Sequence, residues 1–146
     1  MYTLIIRLKI LNSRMYCFRK LKFFHVNSRI LALFYDSVVA SVWRYCLLCW
    51  GGNITIGGRQ RVERVIKEAG KIIGSPRQDF ETVYTDILLK KLTDVMEDLQ
   101  HPLHHRLSYH HNSKTGRMRL PRANTDRYLN SFVPQAIFYH NSKYRR

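Results

Sequence analysis

The sequence predicts an all-α protein: a small irregular bundle of about five helices, followed by a loosely ordered basic C-terminal arm. Apolar residues recur at steps of three and four along most of the first 100 residues. No segment shows the strict polar and apolar alternation of a strand. Short links with Gly or Pro separate the periodic segments. A chain of 146 residues has room for one small core.

The first helix is predicted over Ser13 to Phe24, in the stretch SRMYCFRKLKFF. Basic residues separate its apolar positions, which fall at three-residue steps: Met15, Phe18, Leu21 and Phe24. The preceding residues 1–12, MYTLIIRLKILN, are treated as a leader. Arg7 and Lys9 interrupt their apolar run, so a signal peptide is not expected.

Asn27 or Ser28 can cap a second helix, which is predicted from Arg29 to Trp50 and ends at the glycine pair 51–52. Its apolar stripe comprises Leu31, Phe34, Tyr35, Val38, Val42, Cys46 and Cys49. The length would cross a bilayer. However, the stretch includes Asp36 and Arg44, and each central charge costs about 2.5 to 3.5 kcal/mol. We therefore expect a buried helix and no membrane partner.

A third helix is predicted from Arg59 to Ile73, closed by Gly74 and Pro76, with Glu63 and Lys67 paired four residues apart. Its inward face is Val62, Val65, Ile66, Ala69 and Ile73. A fourth helix begins near Asp79 and stops at His101-Pro102. Its inward residues are Ile87, Leu88, Leu92, Val95, Met96 and Leu99, and its outward residues are Lys90, Lys91, Asp94 and Asp98.

The remaining chain divides into two predicted parts after the helical core of residues 13–100. Residues 101–130 form a His- and Arg-rich arm with a turn at 114–116. Residues 131–146 form a short terminal helix and tail, with Ser131 as the cap and Pro134 in the first turn.

The charge is strongly positive, with 25 Lys and Arg against 10 Asp and Glu, a net charge of +15. Residues 1–50 carry +7, residues 51–100 carry 0 and residues 101–146 carry +8. This distribution predicts a phosphate-rich partner contacted by the two ends, with the middle third in a structural role.

Motifs for catalysis or metal binding are weak. Cys46 and Cys49 form a CxxC without a second ligand pair, so buried packing is expected for both. Five histidines lie within residues 101–111 and could take up a transition metal, but nothing orders them. We find no paired carboxylates in a recognisable setting, no GxSxG and no phosphate-binding loop. The sequence predicts no enzyme, cofactor or small-molecule substrate, and three cysteines fit an intracellular protein of the nucleus or cytoplasm.

Five segments together resemble the extreme C-terminal region of the polyprotein of vertebrate LINE-type (non-LTR) retrotransposons. They are RMYCFRKLKFFHV, LALFYDSVVASVWRYCLLCWGG, RVERVIKEAGKIIG, ETVYTDILLKKLTDVMEDLQHPLH and NTDRYLNSFVPQAIFYHNS. The most specific match is to the pattern FYxSVVxSxxxxxxxCWGG, of which Cys46 is not a part. The resemblance covers about Ser13 to Ser142. It implies a helical extension beyond the reverse-transcriptase thumb that helps to hold template RNA and target DNA.

This sequence departs from that family where the family's chemistry lies. It contains no Asp-Asp pair, which the polymerase needs, and no endonuclease domain, and its first twelve residues do not continue the family pattern. The resemblance therefore implies a truncated, non-catalytic remnant. Its candidate nucleic-acid contacts are the basic residues within matched segments: Arg14, Arg19, Lys20, Lys22, Arg29, Arg117, Arg122 and Arg127.

We expect these cations to bind RNA or single-stranded DNA without sequence preference, aided by stacking on rings such as Tyr109 or Tyr128. One alternative is a structural fragment, without a function of its own, that packs on the missing polymerase core. More distant alternatives are a metal-binding module and a protein of AlkB type. About a dozen residues around RMYCFRKLKFF resemble the N-terminal segment of AlkB-type tRNA-modifying proteins, but no His is followed two residues later by Asp, as their iron site requires.

Overall fold

The structure is a computed structural model that describes residues 2–112 and 114–142. It describes the side chains of these residues except for residues 2–8, 109 and 110. Within these residues the regular structure is helical, apart from an isolated antiparallel bridge between His111 and Met118. The all-α prediction is therefore confirmed.

The helical elements follow one another with short links. In chain order they are α1 Tyr2–Phe23, α2 Ser28–Phe34, a π-helical segment Tyr35–Ala40, α3 Ser41–Arg44, α4 Leu47–Trp50, a 3₁₀ turn Gly51–Asn53, α5 Ile56–Ile73, α6 Phe80–Glu97, α7 His104–His110, α8 Asp126–Leu129 and α9 Phe132–Ser142.

The chain forms two compact units rather than the single core expected from its length. Unit 1 comprises Met1–Leu47 and Ile54–Phe80, and unit 2 comprises Leu48–Asn53 and Glu81–Arg146. The predicted helical core of residues 13–100 is thus divided between the units. The outer thirds of the sequence, which look alike in charge, belong to different units.

Helix α1 is longer than predicted, because residues 2–12 of the proposed leader belong to it. Leu11, Met15 and Phe18 are buried at steps of four and three, whereas the predicted core residue Phe24 is exposed. The helix ends in a Schellman turn, with the Val26 N–H bonded to Leu21 O at 3.2 Å and the His25 N–H to Lys22 O at 3.0 Å. His25 occupies the left-handed position, with φ of 56°.

The predicted second helix is not continuous. Its π-helical segment accommodates an extra residue, so the buried stripe moves by one position. Val39, Trp43 and Leu47 are buried instead of the predicted Val42, Cys46 and Cys49. Cys46 then breaks the helix, with φ of 49°. Both cysteines of the CxxC are exposed, so the expectation that they pack in the core was wrong.

In the described part of the chain, one segment, Ser28–Asn53, has the length and composition to span a membrane, and 33% of its most apolar window is buried. A core helix of a soluble protein meets the same criteria. Asp36 and Arg44, the charges that argue against a span, lie 3.5 Å apart as an ion pair. The absence of a membrane partner stays a prediction.

Helix α5 matches its prediction closely. The five residues of its predicted inward face are all buried, and Gly74 ends the helix in the left-handed conformation with φ of 86°. The start lies three residues earlier than predicted, since the Thr55 hydroxyl caps it by accepting from the Gly58 N–H at 3.2 Å. Glu63 accepts from the Phe80 N–H at 3.1 Å, and no ion pair joins it to Lys67 in the described structure.

Helix α6 also forms, but it ends at Glu97, before the predicted stop. Leu88, Leu92 and Val95 are buried as predicted, and Val83 and Tyr84 extend their stripe towards the N-terminus. Leu99, predicted to face inward, lies beyond the helix and is exposed.

The predicted arm of residues 101–130 is more ordered than expected, since it contains α7 and α8 and buries Leu107 and Met118. The expected turn is present, and Gly116 adopts φ of 66° there. Asn141 of α9 anchors this turn, because its side chain accepts from the Met118 N–H at 2.9 Å and donates to Met118 O at 2.7 Å. In α9, Pro134 lies in the first turn as predicted, while the Ser131 hydroxyl donates to Tyr128 O.

Candidate nucleic-acid interface

The eight candidate cations fall into two sets. Unit 1 holds Arg14, Arg19, Lys20, Lys22 and Arg29, and unit 2 holds Arg117, Arg122 and Arg127. Arg14 differs from the others because its guanidinium is partly buried and donates to Val38 O at 2.5 Å and to the Ser41 hydroxyl at 3.4 Å. Arg14 thus supports the junction between the π-helical segment and α3.

Arg19 connects α1 to α5 through a two-point ion pair with Glu68. Arg19 Nε lies 2.6 Å from Glu68 Oε1, and Arg19 Nη2 lies 3.1 Å from Oε2. The hydrogen bond to Glu68 raises the pKa of Arg19 above its usual value, so the guanidinium stays charged. A phosphate that approaches Arg19 must compete with this carboxylate.

Lys20, Lys22 and Arg29 are exposed around the end of α1 and the start of α2. In the described structure none of them forms an ion pair. Lys20 Nζ lies 5.6 Å from the centre of the Tyr16 ring and 5.8 Å from that of Phe23. These cations are available to a solvent-borne anion.

Other acidic groups of unit 1 are engaged away from this surface. Asp36 lies 3.5 Å from Arg44 and 3.7 Å from Arg77, and Glu63 accepts from the Phe80 backbone. Because these carboxylates have partners elsewhere, they leave the cations near the end of α1 unneutralised.

Helix α5 contributes cations that sequence reasoning missed. Arg61, Arg64 and Lys71 are exposed. Arg61 and Arg64 precede Glu68 by seven and four residues, and Lys71 follows it by three, so all three lie on its side of the helix. We define the α1–α5 basic face as Arg19, Lys20, Arg61, Arg64 and Lys71. The zero net charge of residues 51–100 concealed this stripe, whereas the helical spacing of its cations could have revealed it.

Unit 2 places its candidate cations outside long helices. Arg117, Arg122 and Arg127 are all exposed; Arg117 follows the turn held by Asn141, and Arg127 lies in α8. Arg127 and Lys91 line a groove of about 420 Å³ that also contains Cys49. Tyr128, the next residue after Arg127, is exposed, while the side chain of Tyr109 lies outside the described residues.

The described residues form no metal centre. No three His, Cys, Asp or Glu side chains among them lie close enough together to hold a metal ion. A second groove, of about 520 Å³, lies beside α5 and the following loop, and its lining mixes Lys67, Lys71 and Arg77 with Glu63, Asp79 and apolar groups. Because Arg77 also lies 3.7 Å from Asp36, this groove adds little to the positive surface of unit 1.

Comparison with known proteins adds no relative. The chain matches no protein-family model, no curated protein and no solved structure. The resemblance to LINE-type polyproteins therefore stays a prediction from the quoted segments, and function is argued from the surface itself.

Proposed function

We propose that this protein is a non-catalytic module that binds RNA or single-stranded DNA without sequence preference, through the cations of unit 1. The observation that carries the proposal is the α1–α5 basic face, in which one carboxylate, Glu68, accompanies five exposed cations. Unit 1 holds 14 Lys and Arg against 4 Asp and Glu.

The mechanism is neutralisation of phosphates with release of their counterions. Each phosphate contact on a single strand changes the slope of log affinity against log salt by about −0.7. Helices α1 and α5 hold the charged side chains in a fixed arrangement, which lowers the entropy lost on binding. Phosphate contacts carry no sequence information, so little sequence preference is expected from this mechanism.

A pair of variants tests this function. Arg64→Gln with Lys71→Gln removes two charges from the basic face, and Lys90→Gln with Arg106→Gln removes two exposed charges from unit 2 as a matched control. Binding of a fluorescent single strand is measured by anisotropy across a salt series. We expect the first pair to reduce the magnitude of the salt slope by about 1.4 and the control to leave it nearly unchanged. Equal effects of both pairs, or no binding at low salt, would contradict the proposal.

The ion pair of Arg19 offers a test in the opposite direction. Glu68→Gln frees the guanidinium, so affinity should rise a few-fold, and the salt slope should steepen by about 0.7. Glu97→Gln, the same change at an exposed position of α6, serves as the control. If both variants raise affinity equally, net charge rather than the position of Glu68 is responsible.

We propose as its origin the C-terminal extension of a LINE-type reverse transcriptase, on the five segments quoted above. The missing polymerase core is then a second expected partner. The genomic sequence upstream of Met1 tests this origin. A degenerate or open frame that encodes a palm domain with its Asp-Asp pair would support it, and unrelated coding sequence would count against it.

A structural fragment is the second candidate, and a specific observation favours it. Apolar side chains are exposed around the link between α1 and α2, namely Phe23, Phe24, Ile30 and Leu33. If they were buried on an absent partner, the isolated chain should aggregate or bind hydrophobic dyes. A cooperative unfolding transition in a monomer without dye binding would exclude this candidate.

A further inference from the structure

The end of α1 exposes aromatic rings among its cations. Tyr16, Phe23 and Phe24 are 58%, 72% and 70% exposed. The Phe23 and Phe24 rings meet edge to face, with centroids 5.6 Å apart and an interplanar angle of 78°. Solvent exposure of two adjacent phenylalanines is unfavourable unless a ligand covers them.

Tyr16 and Phe23 lie on the face of α1 that points away from the core, and Phe24 directly follows the helix. Tyr16, Lys20 and Phe23 follow one another at steps of four and three, and the buried residues Met15 and Phe18 face the other way. Tyr16 and Phe23 are separated by about 10 Å along the helix, from a rise of about 1.5 Å per residue. The Schellman turn at His25 fixes the backbone beside Phe24.

Lys20 lies between the rings, with Nζ within 6 Å of the centres of Tyr16 and Phe23. Lys22 and Arg29 are exposed near these rings in the chain and form no ion pair in the described structure. Rings alternating with cations match the chemistry of a nucleic-acid strand, in which flat bases alternate with phosphates. A purely apolar protein partner would have to bury these charges.

We propose that Tyr16, Phe23 and Phe24 form a stacking platform for the unpaired bases of a single strand, with Lys20 and Lys22 on the adjacent phosphates. This inference rests on the proposed function, since the basic face brings the strand to the platform. A duplex is bound less tightly there, because its bases already stack on one another and present no free face. Stacking involves the base and not the sugar, so an RNA or a DNA single strand can supply the bases, and the experiment distinguishes the two.

The experiment compares Phe23→Leu with Phe138→Leu in the full chain. Phe138 is a matched control, because it is also exposed and meets its neighbour Tyr139 edge to face, with centroids 5.5 Å apart. The probes are an oligothymidine and an oligouridine of about twelve nucleotides, a duplex of equal length and an abasic strand with the same phosphates.

We expect Phe23→Leu to weaken binding of at least one of the two base-bearing single strands about fivefold or more and to leave the salt slope unchanged. Phe138→Leu should change affinity less than about twofold, and the abasic strand should bind wild type and Phe23→Leu alike. The two single-strand arms show whether the platform accepts RNA, DNA or both.

The platform is overturned if binding depends on salt but is equal for wild type and Phe23→Leu, and equal for base-bearing and abasic strands. That outcome leaves the proposed function intact. Absence of binding to every probe at low salt overturns both. Photo-crosslinking of a strand that carries 5-iodouridine provides a second measurement. Adducts on the peptide from Tyr16 to Phe24 support the platform, and adducts confined to unit 2 overturn it.

Discussion

The two units of this protein carry positive charge in different ways. Unit 1 has 14 basic and 4 acidic residues, and unit 2 has 11 and 6. In unit 1, eleven of the cations belong to two 18- to 22-residue helices, α1 and α5. In unit 2 the main helix, α6, carries exposed carboxylates, and five of the eleven cations lie in the segments between α7 and α9. We therefore base the proposed binding surface on the position of exposed cations in unit 1 and not on net charge alone.

The units also differ in what holds them together. Unit 1 packs rings in its core, with Phe18 stacked on Phe34 at 5.9 Å and Trp43 near Phe80 at 6.0 Å between centroids. Unit 2 buries mostly aliphatic side chains, and polar anchors join its segments, including the Tyr139 hydroxyl donating to Glu81 and the paired hydrogen bonds of Asn141. Four stability measurements sharpen this contrast.

The largest effect is expected from the aromatic core of unit 1. Phe18→Ala leaves a cavity among Phe34 and Tyr35 and should destabilise the protein by about 3 to 5 kcal/mol. Phe23→Ala, on the exposed side of the same helix, should cost less than about 0.5 kcal/mol. Urea unfolding followed by Trp43 fluorescence in a Trp50→Phe background measures both. Equal costs would show that Phe18 is not a core residue.

A smaller loss of stability is expected when the Asn141 side chain, the polar anchor of unit 2, is removed. Asn141→Ala leaves the Met118 N–H and carbonyl without their side-chain partner, at a cost of about 1 to 3 kcal/mol. Ser142→Ala, at an exposed neighbouring position, is the control. Amide hydrogen exchange at Met118 should accelerate in the first variant alone. Unchanged exchange would count against the anchor.

Because two tyrosines are buried, the free energy of unfolding is expected to depend on pH in the alkaline range. Burial raises the pKa of Tyr35 in unit 1 and of Tyr84 in unit 2. In the unfolded chain the tyrosine hydroxyls lose their protons at about pH 10, whereas in the folded protein they do so only at higher pH. The free energy of unfolding is therefore unaffected below about pH 10 and decreases as the pH rises above it. The midpoint temperature of thermal unfolding should decrease less between neutral and alkaline pH for Tyr35→Phe than for the control Tyr16→Phe. Parallel profiles would rule out a contribution from Tyr35.

The smallest effect is expected at the end of α1. His25 adopts φ of 56° in a position that favours glycine, so His25→Gly should stabilise unit 1 by about 0.5 to 1 kcal/mol. Gly74→Ala, the reverse change at the equivalent position after α5, should destabilise by a similar amount. Denaturant midpoints compare the two variants. A loss of stability in His25→Gly would mean that the imidazole makes a compensating contact.

Sequence patterns predicted α5 well because its signals are local. Its buried face repeats within single turns, and its C-cap lies at the glycine directly after the last periodic residue. The end of α1 was also placed to within a residue, from the same apolar spacing. The basic ends were recognised from composition, and five of the candidate cations are in unit 1.

The second helix and the charge pairing could not be predicted in this way. The π-helical segment moves the buried positions from Val42 to Trp43, and Arg14, 24 residues away from Val38, bonds the Val38 carbonyl within that segment. The Arg19 and Glu68 pair spans 49 residues. No window of one or two turns contains both members of either interaction.

The sequence by itself determined that the chain is helical and basic, since period, caps and composition act within a few neighbouring residues. Only the tertiary structure decided which cations remain available and which side chains stay exposed. In the folded protein the chain forms two units, and Arg19 pairs with Glu68. Arg14 is partly buried, and Phe23 is exposed to solvent. Ion pairing and burial depend on distances between segments far apart in the chain, and these distances exist only in the folded protein.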